Sequence, residues 1–176
     1  KDGLSQIIIN VEAQKDEPTG YEILNRAIFY VSRLISSQKE RDFENSSYDD
    51  IKRVYSIWVC MNMDESSMSH VHLTKEDLIG SYEWKGNLDL LNIIMLGLAK
   101  NLPEHDETYE LHRLLGALLS KELTIDEKLN IIGNEYDIPI EENFRKDVSV
   151  MCNLSQGIEE KGIAMATDKD IEEVKA

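Results

Sequence analysis

The sequence predicts an α/β fold, with a mixed sheet flanked by helices and a helical carboxyl-terminal part. Residues 5–13 and Val54–Met61 are short runs rich in β-branched and apolar side chains, which favour strands. Residues 20–37 between them carry apolar side chains at helical spacing. The last third of the chain adds leucine-rich faces and a helix-capping signal. A helix between two strands is typical of α/β proteins.

The first strand and the first helix follow each other directly. Because Ile7-Ile8-Ile9 is continuous, we expect the strand at 5–13 to be buried on both faces. The helix is predicted to begin at Gly20 and to end near Ser37. Within it, Arg26 and Tyr30 lie one turn apart on a shared flank. The residues predicted to form its core stripe are Leu24, Ala27, Ile28, Val31, Leu34 and Ile35.

The middle of the chain contains further strand signals. A polar loop over residues 38–50 precedes the strand at Val54–Met61, and a short strand is predicted around Ser69–Leu73. The apolar segment Asn87–Leu98 is long enough to be either a strand or a helix when it is judged from its residues alone.

The last third is predicted to be helical. One helix follows Pro103 and Asp106 and ends near Ser120, with its apolar face formed by Leu111, Leu114, Leu115, Leu118 and Leu119. Thr124 and Glu127 form a capping box for a second helix, which ends near Glu135. Pro139 lies in the first turn of a third helix, which reaches about Asn153.

Length and composition are those of a cytoplasmic protein with a single core. None of the apolar runs in the 176 residues approaches the ~20 residues that span a membrane, so no membrane partner is expected. Cys60 and Cys152 are isolated and lack C-x-x-C spacing, which predicts buried, reduced thiols.

The charge of the chain argues against nucleic-acid binding. There are 34 acidic and 19 basic residues, which gives a net charge of −15 and repels a polyanion. The bases are unevenly distributed, because six of them fall within residues 26–53. They form either a local basic surface near Glu12 or an ordinary solvated face. These residues are Arg26, Arg33, Lys39, Arg41, Lys52 and Arg53.

Glu12 and Gln14 are the first candidates for chemistry. Side chains two residues apart on a strand point to the same face, so the two project together where the first strand ends. A carboxylate there can hold Mg²⁺, and a polar neighbour can place a water molecule for hydrolysis of a phosphodiester. A solvated strand end explains the same pair without any chemistry.

Longer segments carry a family resemblance. They are Pro18-Thr19-Gly20 with the helix 21–38, then Tyr48–Asn62, and finally Met151–Gly162. In this order the segments resemble the PD-(D/E)XK nuclease family transposases of bacteria, also described as recombination-promoting nucleases. The likeness extends from about residue 4 to about residue 163.

The resemblance implies a restriction-endonuclease-like sheet, with a strand at about Leu91–Leu96. It implies a DNA endonuclease linked to recombination or transposition, with Mg²⁺ or Mn²⁺ as its cofactor. Glu12 would be the metal ligand. Gln14 would position water or substrate, at the place where the wider superfamily has Lys. Arg26 would contact the scissile phosphate, and Tyr30 would support it.

The resemblance also implies an acidic residue on a strand before Lys1. Asp2-Gly3 is a poor substitute because it has the pattern of a turn. We therefore expect an amino-terminally truncated chain that lacks the first core strands and the first catalytic acid, and that does not cut DNA as it stands. Its expected parts are the remainder of the nuclease-like core at 1–100, a helical extension packed on the core at 101–157 and a charged tail at 158–176.

Two other functions remain open. One is a non-catalytic, acidic protein-interaction or oligomerisation module on the same fold, and the other is an acidic protein-binding module unrelated to nucleic acid. A homodimer is an alternative to a monomer, because nucleases that cut both strands often dimerise and an exposed first strand favours self-pairing. His70 and His72 form either a zinc pair or two exposed strand positions.

Overall fold

The computed structural model describes residues 7–150 of the chain. The chain divides into two compact units, Lys1–Pro103 and Glu104–Ala176. The predicted α/β class with a mixed sheet is confirmed. The elements, in chain order, are β1 (Ile7–Gln14), α1 (Ile23–Ser36), a short 3₁₀ helix (Tyr48–Asp50), β2 (Arg53–Met63), β3 (Ser67–His72), β4 (Leu91–Ala99), α2 (Glu110–Leu119) and α3 (Ile125–Tyr136).

The first unit is built on a four-stranded sheet in the order β1-β2-β4-β3. β1, β2 and β4 are parallel, and β3 is antiparallel to β4. Parallel neighbours need a crossover connection, and α1 lies within the connection from β1 to β2. The segment Asn87–Leu98, ambiguous from its residues, contains the strand that the family resemblance implied.

Helix α1 packs on one face of this sheet. Ala27 and Val31 are completely buried and belong to one cluster with Val54, Trp58 and Ile93. The small side chain of Ala27 allows the helix to approach the sheet closely, and the cluster removes a large indole from water. Trp58 is therefore a core residue, as its place in an apolar strand indicates.

The predicted core stripe of α1 is correct at its centre and wrong at one margin. Leu24 and Ile28 are exposed, whereas Ile23 packs against the core cluster. Periodicity identifies the apolar half of a helix, but the rotation that brings Ala27 to the centre of the contact depends on the sheet below it.

The prediction that β1 is buried on both faces is wrong. Ile8 packs against the core cluster, but Ile7, Ile9 and Val11 are 47–62% exposed. β1 is an edge strand of the sheet, and α1 covers only the face that carries Ile8. Within residues 7–150, no strand pairs with its outer edge.

A bulge near the end of β2 connects this strand, through hydrogen bonds of Asn62, to the residues that follow β1. Asn62 has a φ of 60°, and the register with β4 shifts between Cys60 and Met63. The Asn62 Nδ2 atom donates to the carbonyl of Lys15 at 2.9 Å and to Asp16 Oδ1 at 2.8 Å. Asn tolerates this left-handed backbone better than most residues, so the bulge holds the connection between β1 and α1 in place.

The second unit is helical in its described part. The predicted capping box of α3 is confirmed, because Glu127 N donates to Thr124 Oγ1 at 3.3 Å and Thr124 N donates to Glu127 Oε2 at 2.8 Å. The predicted leucine face of α2 is wrong at Leu111, which is exposed, whereas His112 and Ala117 are buried.

The predicted helix near Pro139 is found as helical residues 142–150. Its expected end at Asn153, together with Cys152 and the tail 158–176, lies outside the described residues, as does the turn expected at Asp2-Gly3. No helix within residues 7–150 is long and apolar enough to span a membrane.

An ion pair connects α2 with α3 and gives a test of the second unit. Arg113 Nε and Nη2 donate to Glu135 Oε2 and Oε1 at 2.6 and 2.7 Å. This pair lowers the pKa of Glu135 below its ordinary value of 4.5. A lowered pKa stabilises the fold above the unfolded-state pKa, and this contribution is lost as the pH falls through the folded-state pKa.

We expect Glu135→Gln to lower the free energy of unfolding at pH 7 by about 1–2 kcal/mol, between the values for surface and buried pairs. The difference from the wild-type chain should shrink as the pH falls below 4.5, the ordinary pKa of the carboxyl. Urea unfolding across this range measures it. Glu142→Gln, in an exposed pair with Lys146, is the matched control and should change little. A pH-independent loss would contradict the assignment to the ion pair.

Candidate active site

The candidate residues Glu12 and Gln14 lie on the α1-covered face of the sheet, at the carboxyl end of β1. They share this face with Ile8 and Asn10, because alternate residues of a strand point to one side. Glu12 is paired with Trp58 in the register, and Gln14 is paired with Cys60. Crevices beyond the carboxyl ends of parallel strands are the usual place for ligands in open α/β sheets.

Arg26 reaches this site from α1. Its Nη1 atom donates to Gln14 Oε1 at 3.4 Å and to the Tyr21 hydroxyl at 2.7 Å. Its guanidinium carbon lies 5.7, 5.4 and 5.6 Å from the ring centroids of Tyr21, Tyr30 and Trp58. The hydrogen bond to Tyr21 is the main cause that raises the pKa of Arg26 above its ordinary value. Three aromatic rings therefore hold a permanent cation beside Gln14.

Among the described residues, Arg26 does not form an ion pair with Glu22, the acidic residue one turn before it on the helix. Arg26 N donates to the Glu22 carbonyl at 3.3 Å, but within residues 7–150 no ion pair joins the two side chains. No ion pair joins Arg26 to Glu12 in this range either. The cation and the carboxylate thus share one face of the sheet without neutralising each other directly.

A polar network supports Glu12 across two strands. Asn10 Nδ2 lies 3.4 Å from Glu12 Oε1 and 3.5 Å from Ser56 Oγ. The Trp58 indole Nε1 donates to the same Ser56 oxygen at 2.9 Å. Ser56 and Trp58 are buried, whereas Glu12 is half-buried. Asn10 and Ser56 thus connect the Glu12 carboxylate to Trp58 in the core.

Gln14 lies between the cation and a small pocket. Its Nε2 atom donates to the Asp16 carbonyl at 2.8 Å, while its Oε1 atom faces Arg26. The pocket has a volume of about 80 Å³, and its lining combines apolar side chains with two carboxylates. The lining residues are Gln14, Asp16, Glu17, Ile23, Cys60, Met61, Met63, Ser67, Met95 and Gly97.

Gly97 and Cys60 are two of the residues that line this pocket. A Cβ atom on Gly97 would lie 2.6 Å from Ser67 Oγ, so a larger residue at this position would force the Ser67 side chain to move. Burial, followed by the charge of Glu17, raises the pKa of the Cys60 thiol above 9.0. The thiol is therefore protonated at neutral pH and is a poor nucleophile.

The six basic residues of the segment 26–53 do not form one basic surface. Arg41 and Lys52 both bind Asp42, and Arg53 binds Asp89, at 2.7–2.9 Å. Two others lie over aromatic rings, Arg33 over Phe29 and Lys39 over Tyr48. Three of the six basic residues thus bind carboxylates, two of them sharing Asp42, and Arg26 is the member that contacts the candidate site.

Sequence reasoning missed three supporting residues, namely Asn10, Tyr21 and Ser56. Asn10 could have been found, because it precedes Glu12 by two positions on the same strand face. The roles of Tyr21 and Ser56 depend on the rotation of α1 and on the β1–β2 register, which no local pattern reveals.

The two strand histidines make local contacts. His70 stacks on His72 at 4.7 Å, and its Nε2 atom lies 2.8 Å from Asn92 Oδ1. In the described part of the chain, no group of three or more His, Cys, Asp or Glu side chains is arranged to hold a metal ion. The described structure therefore provides no third protein ligand for a zinc site at this pair.

Comparisons of the chain with protein-family models, with curated proteins and with solved structures give no match.

The polar network gives a test of how the site is supported. Ser56→Ala removes the acceptor of a buried indole N–H, which costs about 1–3 kcal/mol of unfolding free energy. Ser69→Ala, on an exposed position of β3, is the matched control and should change the unfolding free energy little. Chemical unfolding followed by circular dichroism measures both variants. Equal unfolding free energies for Ser56→Ala and Ser69→Ala would show that the Ser56 hydroxyl does not stabilise the fold.

Proposed function

We propose that this site is one part of a centre that hydrolyses phosphodiester bonds in DNA with the help of a divalent metal ion, and that in the full-length protein the further acidic residue that the family resemblance implies completes it. The observation that carries the proposal is the position of Arg26, which contacts Gln14 while Glu12 lies two residues away on the same strand face. A fixed cation beside an unneutralised carboxylate matches the needs of a phosphate group and a metal ion. The resemblance to PD-(D/E)XK nuclease family transposases supports the same reaction.

The donor atoms at the site fit Mg²⁺ or Mn²⁺ as ligands. Glu12 supplies a carboxylate, and Asn10 and Gln14 supply amide oxygens. Mg²⁺ commonly binds one or two carboxylates, keeps several waters and takes further oxygens from a substrate phosphate. When bound, the ion would lower the charge on the phosphate and make water a better nucleophile. Glu12 is the residue that would hold it.

The other side chains would bind and orient the substrate. The Arg26 guanidinium would donate to the oxygens of the scissile phosphate, a recognition that its planar fork suits well. Tyr30 and Tyr21 would keep the guanidinium in place. In the reaction, a water oxygen forms a bond to phosphorus and one ester P–O bond breaks. The attacking water gives up a proton to solvent, and the departing oxygen takes up a proton from solvent.

Gln14 would direct the attacking water. Its amide is already oriented by Arg26 on one side and by the Asp16 carbonyl on the other. The second amide hydrogen is suited to a water molecule or a substrate oxygen, and the remaining lone pair of Oε1 is suited to a water hydrogen. By family resemblance, this activity would serve recombination or transposition in the bacterial cytoplasm.

A second candidate function is a non-catalytic acidic interaction module on the same fold. The net charge of −15 favours it, as do the carboxylates that bind Arg41, Lys52 and Arg53. Both observations weaken long-range attraction to a polyanion. Metal and DNA titrations separate the two candidates.

The first titration concerns the metal ion. The chain should bind Mn²⁺ weakly, because one carboxylate with amide oxygens and waters is a poor cage. Glu12→Gln should remove the binding, whereas Glu22→Gln, an exposed carboxylate at the start of α1, should leave it unchanged. Isothermal calorimetry and the emission of Trp58, which lies opposite Glu12, measure it. Identical titrations of the wild-type and Glu12→Gln chains would contradict the assignment.

The second titration concerns DNA. If Arg26 neutralises one phosphate, Arg26→Gln should weaken duplex binding at low salt and reduce the log–log salt slope by about 0.9. Arg33→Gln, on the same helix but over Phe29, is the matched control and should have the smaller effect. Fluorescence anisotropy with a labelled duplex measures both. If the wild-type chain does not bind DNA even at low ionic strength, the interaction module is the better description.

A further inference from the structure

The connection between β3 and β4 is an exposed apolar arm, defined here as residues 75–88. Antiparallel neighbours are commonly joined by two to five residues, but this connection extends from residue 73 to residue 90. Ile79 is 98% exposed and Trp84 is 76% exposed. A contiguous group of large exposed apolar side chains marks an interaction surface. The large exposed apolar residues of the arm are Leu78, Ile79, Tyr82, Trp84 and Leu88.

The arm has an internal structure of its own. Lys75 Nζ donates to the Tyr82 carbonyl at 3.0 Å and binds Asp77 at 2.8 Å, which closes the arm into a loop. Gly80, with a φ of 60°, forms the turn within this loop. The rings of Tyr82 and Trp84 meet edge to face at 4.9 Å. These contacts hold the apolar side chains in place before a partner binds, which reduces the conformational entropy lost on binding.

A second apolar surface lies on β1. The strand face opposite to Glu12 consists of Ile7, Ile9, Val11 and Ala13, and it carries no polar side chain. All four of these residues are exposed, and the outer edge of the strand is unpaired within the described part of the chain. An exposed apolar edge strand is a surface that natural proteins usually cover.

We propose that the arm of one copy packs on the outer face of β1 in a second copy, and that the exchange is reciprocal. The arm follows β3, whereas β1 forms the opposite edge of the sheet, and both surfaces are exposed within one chain. A two-fold dimer would cover both, because each copy supplies one arm and one acceptor.

Charge and area favour a second copy as the occupant. The arm carries three acidic residues, Glu76, Asp77 and Glu83, against two lysines, so it does not attract nucleic acid. Its exposed apolar side chains amount to roughly 600 Å², and the β1 face brings each partner close to the ~800 Å² of a standard interface.

The test uses the whole chain and two single variants. Ile79→Asp changes the tip of the arm, and Ile9→Lys changes the acceptor without removing a core side chain. Each should lower the association constant at least about tenfold in sedimentation velocity. Leu111→Asp, an exposed apolar position outside both surfaces, is the matched control and should not lower it. Trp84 emission should shift to shorter wavelength when the wild-type chain associates.

A mixture of the two variants distinguishes this dimer from the alternatives. The mixed pair retains one intact arm and one intact acceptor that face each other, and its second contact joins Asp with Lys. Association should therefore recover in the mixture. If arms packed on arms, or if a terminal segment of the same chain covered β1, the mixture would not recover and the proposal would be wrong.

Two further results would overturn the proposal. One is a wild-type chain that sediments as a monomer at every soluble concentration, and the other is a dimer that Ile79→Asp leaves unchanged. Circular dichroism checks that the variants fold. Val11→Thr, which keeps a β-branched residue on the same face, replaces Ile9→Lys if that variant unfolds.

Discussion

The parallel pairing of β1 with β2 is the constraint on which the candidate site depends. It places Glu12 opposite Trp58 and Gln14 opposite Cys60, and it requires the crossover connection that contains α1. A slip of one residue would turn Glu12 to the outer face and bring Val11 under the helix. The Asn62 bulge opposes such a slip, because its side chain on β2 binds the Lys15 carbonyl and Asp16 directly after β1.

Trp58 links the stability of the fold to the chemistry of the site. Its ring is part of the core cluster, its indole nitrogen donates to Ser56, and its face lies beneath the Arg26 guanidinium. The core and the site therefore share one side chain. Substitutions that enlarge or empty the core around Trp58 would also displace Arg26, so the stability of the fold and the geometry of the candidate site are coupled at this position.

The electrostatics of the site differ from those of the surrounding surface. Arg41, Lys52 and Arg53 bind carboxylates, whereas Arg26 is held by aromatic rings, a phenol and an amide. Rings stabilise a cation without cancelling its charge. Arg26 thus retains its positive charge for an anion in a protein whose net charge is −15. This local contrast is what allows a phosphate site to be proposed in an acidic chain.

Local patterns in the sequence determined the class of the fold, the strands at β1 and β2, the capping box at Thr124 and the shared face of Glu12 and Gln14. These features arise from near neighbours, whose spacing follows from strand and helix geometry. Tertiary structure alone decided which face of β1 is covered and which side chains surround Arg26. Ile7, Ile8 and Ile9 are equally apolar, so only the position of α1 buries one and exposes two. Trp58 lies on β2 and reaches Arg26 because folding packs α1 on the sheet, a relation that sequence spacing does not contain.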